Sequence, residues 1–196
     1  MADDNRLALA PATTALVVID LQKGIVVRPT EPHAAVAVVA NAARLAETLR
    51  ARGGFVVLVT VSYSPDFRDA LRPVSDEPGW TRAGTPPADF AELVGELRPR
   101  PGDHVVIKRQ WGAFHGTDLD LQLRRRGITT ILLCGIATCF GVESTARDAY
   151  ERGYQQIFVE DAMASLSAAE HEHTVTRILP RIGRVRRTAE VLAALG

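Results

Sequence analysis

Lysine is almost missing from this chain: of 23 basic residues only Lys23 and Lys108 are lysines, and the rest are arginines. Surface charge is therefore written in arginine. Unless it arose by chance, a lysine here marks a place that needs a compact, rotatable ammonium where a planar fork would not fit. Cysteine is as scarce, with Cys134 and Cys139 alone. Two thiols five positions apart, one inside an apolar run and one just past it, exclude a disulfide framework and suit a reducing compartment. Net charge is lacking too, because 23 basic and 23 acidic residues cancel. Nothing overall asks for nucleic acid or an anionic membrane surface. No apolar run reaches membrane-spanning length, and acids stand near the start where a secretory leader would be basic. The expectation is a cytoplasmic protein with no nucleic-acid and no membrane partner.

What is present is material for a core. A chain of 196 residues, 46% of them hydrophobic, fits one compact domain over 1–196 that needs no metal or disulfide staple. Apolar runs of strand length recur at TALVVID (14–20), FVVLVTVS (55–62), HVVIKR (104–109), TTILLCGI (129–136) and QQIFVED (155–161). They are rich in Val and Ile and barely alternate, the pattern of strands covered on both faces in a parallel sheet. Amphipathic stretches at 33–53, 117–127 and 141–153 each end on glycine, which supplies a left-handed cap past the last turn. A helix near 167–179, a short strand at 183–187 and a last helix at 188–195 complete the alternation. Strand then helix, repeated, predicts right-handed crossovers and an α/β fold: a three-layer α/β/α sandwich around a mostly parallel sheet of about six strands. The loop-rich segment 63–103 breaks the rhythm and is expected to border the site as a lid or partner surface.

Ligands of open α/β sheets bind beyond the carboxyl ends of the strands, where strand order reverses. Asp20 ends the first strand and Lys108 the third; the alternative readings are a turn cap for one and a lysine reaching out to water for the other. If the two meet, they form a partly desolvated pair with coupled ionisation. The segment from Ile136 to Gly141 joins the fourth strand to its helix. Val142, Ala146, Ala149 and Tyr150 form one helical stripe, so the helix starts near 139–141 and turns free N–H groups toward the strand ends. A helix start attracts negative charge, so a thiol there is expected to be acidified, which makes Cys139 a chemically plausible nucleophile. Cys134, inside the strand, reads as an inert core residue.

The stretches ALVVIDLQKG, VVIKRQWGAFHGTDLDLQLRRRGI and CGIATCFGVESTARDAY, taken together, resemble the isochorismatase-like hydrolases over nearly the whole chain. The resemblance implies a Rossmann-like fold. It also implies Asp20 and Lys108 as catalytic residues, and Gln22, Trp111, Phe114 and the backbone of Ala137 and Gly141 as substrate contacts. The peptide between Ile136 and Ala137 is implied to be cis. In the family's cysteine hydrolases the helix segment reads G-I-A-T-D-x-C-V-E; laid on this sequence, the nucleophile position falls on Gly141, and Cys139 stands two residues earlier. Two residues along a helix start is about 200° of rotation, enough to aim the Cys139 sulfur away from the pocket. Isochorismatases proper resemble this chain in carrying that glycine, and their vinyl-ether chemistry needs no thiol.

The first expectation is thus a hydrolase acting without a covalent intermediate on a small carboxylate-bearing substrate, with Asp20 as acid and Lys108 as electrostatic partner. Acid catalysis wants a raised Asp20 pKa, whereas a close Lys108 lowers it, so burial or substrate charge must offset the lysine. The rivals are a cysteine amidohydrolase using Cys139 and a ligand-binding homologue without chemistry. No cofactor is expected. Nor is a metal: the region after the second strand reads SYSPDF, with no histidine, and the pair in HEH (171–173) has the wrong spacing for one helix face. His115 is read as a surface or packing residue. A homo-oligomer, dimer or tetramer, is implied by the resemblance alone.

Overall fold

A computed structural model describes residues 7–76 and 86–196. Six strands form one sheet in the order β3-β2-β1-β4-β5-β6, with every neighbouring pair parallel. They are β1 (Thr14–Ile19), β2 (Phe55–Val61), β3 (His104–Lys108), β4 (Thr130–Ile136), β5 (Gln155–Ala164) and β6 (Arg184–Arg186). The helices are α1 (Lys23–Val26), α2 (Ala35–Ala51), α3 (Leu119–Arg125), α4 (Glu143–Glu151), α5 (Ala168–His173) and α6 (Thr188–Leu195). Helices flank the sheet in the expected three layers.

All six residues of β1 are buried, and β2 is buried up to Thr60. Chains of Val, Leu and Ile with no polar alternation cannot turn one face to water, so they take the middle of the sheet. Each such side chain removed from water contributes about 1.5–3 kcal/mol. β1 and β4 lie side by side at the centre, and the chain winds outward from them in both directions. The crevice beyond their carboxyl ends is the switch point. Gly135 permits their close approach: a Cβ there would lie 2.1 Å from the Ile19 carbonyl oxygen, on a backbone with φ +123°.

Three readings from periodicity are corrected. β3 is an edge strand, and Val105 and Ile107 are exposed where two-sided cover was expected. Apolar composition cannot tell a central strand from an edge strand with apolar outward positions. Tyr150 is exposed and falls off the stripe that buries Val142, Ala146 and Ala149. The helix expected over 167–179 is regular only through His173, then widens over Thr174–Ile178 and tightens around Pro180. Of segment 63–103, residues 77–85 lie outside the described residues, so the lid reading is partly beyond them. Its later part packs on the start of the chain, with Leu93 bridged to Gln22 and Phe90 seated over Gly24.

Candidate active site

Asp20 leaves β1 in the left-handed region, φ +53°, while its N–H donates to the Val59 carbonyl at 2.9 Å. Aspartate tolerates this conformation better than most side chains. Lys108 ends β3, two strands away, about 10 Å across the sheet at ordinary strand spacing. The two side chains span that gap together: Lys108 Nζ lies 2.7 Å from Asp20 Oδ2 and donates to the Trp111 carbonyl at 2.6 Å. Lys108 is 2% exposed and Asp20 6%. The two lysines thus part ways, because Lys23 sits at the surface in ion pairs with Asp89 and Glu92.

Burial pushes the Asp20 carboxyl up to about 6, against the opposing pull of the Lys108 ammonium. Desolvation outweighs the salt bridge, which resolves the tension posed by the sequence. Asp20 Oδ1 is buried without a hydrogen-bond partner. Such an atom is costly unless something addresses it.

The third element is the wide turn Thr138–Val142, which leads into α4. It begins after the cis peptide Ile136–Ala137. Gly141 faces the pair: a Cβ at that position would lie 3.2 Å from Lys108 Nζ, 3.3 Å from Asp20 Oδ2 and 2.8 Å from Ile19 Cγ2. Three separate elements therefore converge as the topology suggested. Thr145, one turn on, accepts from the Ala113 N–H at 3.1 Å and donates to the Gly141 carbonyl at 2.7 Å. It ties the loop after β3 to the helix start, and nothing in the sequence pattern distinguished it from the rest of the helix.

Cys139 points elsewhere. Its Sγ lies 3.0 Å from Ser165 Oγ, and Ser165 in turn donates to Glu170. The expected acidification is overturned: burial raises the thiol, and the Ser165 hydrogen bond does not offset it. Turn N–H groups lower a thiol only if the sulfur is placed before them, and this one is placed beside a hydroxyl and a carboxylate. Cys134 is buried in β4 and pushed up to about 12, as an inert core thiol should be.

Two implied substrate contacts are engaged with other parts of the protein. Gln22 is buried, and its amide is engaged with backbone, donating to the Val61 and Phe90 carbonyls and accepting from the Val61 N–H. It fixes the loop after β1 rather than presenting a free group. Phe114 is buried against the Tyr154 ring and under the Arg152 guanidinium. Trp111 does remain available, 60% exposed and tilted against Phe140 with centroids 4.9 Å apart. Ala137 is buried, and its carbonyl accepts from the Phe140 and Val142 N–H groups. His115 is exposed.

Tyr63 and Arg109 were missed. Burial, and next the charges of Asp20 and Asp69, raise the Tyr63 hydroxyl; Arg109 opposes that shift and pairs with Asp69 at 2.5 Å. Both follow strand ends, Tyr63 two residues after β2 and Arg109 one after β3, which is the signal that could have found them. A second polar cluster, His33, Glu160 and His171, brings three possible metal-ligand atoms within 4.8 Å of one another.

A buried acid and ammonium at the switch point of a parallel α/β sheet, facing the glycine of the turn, mark the candidate site of a protein of the α/β sandwich class. Comparison with known proteins gives the family. The isochorismatase domain matches residues 14–190. The chain is 55% identical to the isochorismatase family protein YwoC of Bacillus subtilis, covering 96% of this chain and 97% of that one. A solved isochorismatase family protein from Burkholderia thailandensis superposes with a TM-score of 0.90 at 48% identity, over 96% and 97% of the two chains. The ureidoacrylate amidohydrolase RutB of Methylobacterium radiotolerans is 34% identical over 97% of this chain and 82% of its own. The chain belongs to the isochorismatase family and is a hydrolase.

Proposed function

We propose that this hydrolase acts on a small carboxylate-bearing substrate without a covalent intermediate, Asp20 serving as acid and Lys108 as its electrostatic partner. The observation that carries the reading is the place of Gly141, whose missing side chain would stand 3.2–3.3 Å from both charged groups. That position brings no nucleophile to the pair, only the backbone of a glycine. A carboxyl raised to about 6 keeps a protonated fraction near neutral pH, on the order of a tenth at pH 7, from which a general acid can act. Once Asp20 is neutral, the ammonium beside it is an uncompensated buried charge, and a substrate carboxylate restores the balance. In a vinyl ether carrying that carboxylate, the Asp20 proton goes to the terminal alkene carbon. Water then adds to the oxocarbenium carbon, and the hemiketal breaks its C–O bond to release an alcohol and a keto acid. Lys108 stabilises the carboxylate throughout.

The second reading, an amidohydrolase working through Cys139, draws on the likeness to RutB, a ureidoacrylate amidohydrolase. Against it stand the raised thiol and its engagement with Ser165. A panel of small vinyl ethers, amides and carboxylic esters, assayed with Asp20→Asn and Cys139→Ala, separates the two. The proposal expects turnover to vanish in the first variant and persist in the second. Loss of activity in Cys139→Ala, or a thioester adduct by mass spectrometry, overturns it. Ligand-induced thermal stabilisation with no turnover of any substrate would instead support a binding homologue.

A further inference from the structure

Glu160 stands late in β5, His33 in the turn before α2 and His171 in α5, and the fold brings them together. Glu160 Oε1 lies 2.7 Å from His33 Nε2 and 3.5 Å from His171 Nε2. The two rings meet edge to face, with centroids 5.7 Å apart. His171 is 3% exposed, and its Nδ1 is hydrogen-bonded to Thr138 Oγ1 at 2.9 Å. Its Nε2 is buried with no hydrogen-bond partner. Burial holds His171 below the usual histidine value despite the nearby carboxylate.

With the ring proton on Nδ1, toward Thr138, Nε2 carries a bare lone pair aimed at a carboxylate oxygen. In that tautomer two acceptors face each other, and a cation between them satisfies both. An imidazole whose second nitrogen is held by a hydrogen bond is also how proteins orient a metal-ligating histidine. Glu160 Oε2 faces Arg187 at 3.4 Å, so the arginine occupies the other oxygen and leaves Oε1 to the imidazoles. Thr30 fixes His33 from behind by donating to its carbonyl at 2.9 Å.

We propose that His33, Glu160 and His171 form a binding site for a divalent transition metal of the zinc type. Two imidazoles and one carboxylate are a donor set for such ions, and three protein ligands leave a position for water. On binding, the ion takes the Nε2 lone pair of His33 against Glu160 Oε1, and the neutral ring keeps its one N–H on Nδ1. The expectation of no metal concerned the segment after β2 and the pair His171 and His173. The site lies elsewhere and uses only one of those two histidines. Through Thr138 it touches the same turn that carries Gly141, so an occupied site clamps α5, β5 and the start of α2 onto one side of that turn.

The test uses the full chain freed of metal by chelator dialysis, with zinc titrated by calorimetry and cobalt(II) followed by its visible absorption. One ion per chain is expected, with a Tm that rises with zinc concentration and a cobalt spectrum of nitrogen and oxygen ligands without thiolate charge transfer. His33→Asn and Glu160→Gln alter partly exposed side chains; each, with its fold checked by circular dichroism, should weaken binding by on the order of 10- to 100-fold or more. Cys139→Ala should bind as the parent does. No zinc binding, unchanged affinity in both ligand variants, or a thiolate band abolished by Cys139→Ala overturns the proposal.

Discussion

The turn Thr138–Val142 has two sides, and their contrast explains most of the site. One side presents Gly141 to a buried acid and ammonium and contributes no side chain at all. The other presents Thr138 and Cys139 to His171 and Ser165, each filling its place with a hydrogen bond. The same five residues therefore offer an open face, bare of side chains before the charged pair, and a closed face whose side chains are hydrogen-bonded. A thiol on the closed face is raised and engaged with Ser165, although it stands close in sequence to the charged pair. What a residue touches follows the face it occupies more closely than its number.

The contrast is most exposed to a pair of variants on its two sides. Asp20→Asn should lower kcat/KM by about 10²–10⁴-fold, the usual contribution of a positioned general acid, with Cys139→Ala within about twofold of the parent. Equal losses in both would erase the distinction. Next in size is the pH profile. With Asp20 as a required acid near 6, kcat/KM should fall about tenfold per pH unit above that value. Lys108→Met removes the charge that lowers the carboxyl, so that limb should move up by roughly 1–3 units, whatever happens to the maximal rate. A limb that stays in place would mean another group titrates.

Stability carries the same signature. The folded Asp20 carboxyl is raised above its ordinary 3.8, so the unfolded chain loses this proton first as pH rises. The stabilisation present below about 4 is lost as pH climbs to about 6 and changes little beyond. Denaturant melts of the parent at pH 4, 5, 6 and 7, each referred to Asp20→Asn, should show that decline. A flat difference would place the carboxyl in an ordinary environment.

Filling the open face should cost about 1–3 kcal/mol of stability and most of the activity, since the Cβ of Gly141→Ala meets the Ile19 methyl at 2.8 Å in a packed region. Retained activity at parental stability would show that the face is not the substrate's. The smallest effect belongs to the closed face. Cys139→Ala removes the Ser165 hydrogen bond and should cost about 0.5–1.5 kcal/mol in chemical denaturation, its turnover unchanged.

Much of this was legible in the chain. TALVVI and TILLCGI announce central strands because uninterrupted branched residues have no way to face water, and Asp20 and Lys108 follow from ending such runs. Phe114 and Gln22 were not legible, since an aromatic or amide in a loop serves pocket or packing equally well until its neighbours are known. The His33–Glu160–His171 cluster was invisible for a plainer reason: its members are separated by 127 and 11 positions and join only when β5 passes the turn before α2.

By itself the sequence determined the parallel α/β architecture, the crossover pattern and the strand ends that carry charge, because hydrophobic burial and backbone periodicity are local and repetitive. Only the tertiary structure decided that burial outweighs the lysine at Asp20, that Cys139 faces Ser165 and that Gly141 faces the pair. Desolvation and hydrogen bonding depend on which groups arrive from distant parts of the chain, and no local pattern encodes their arrival.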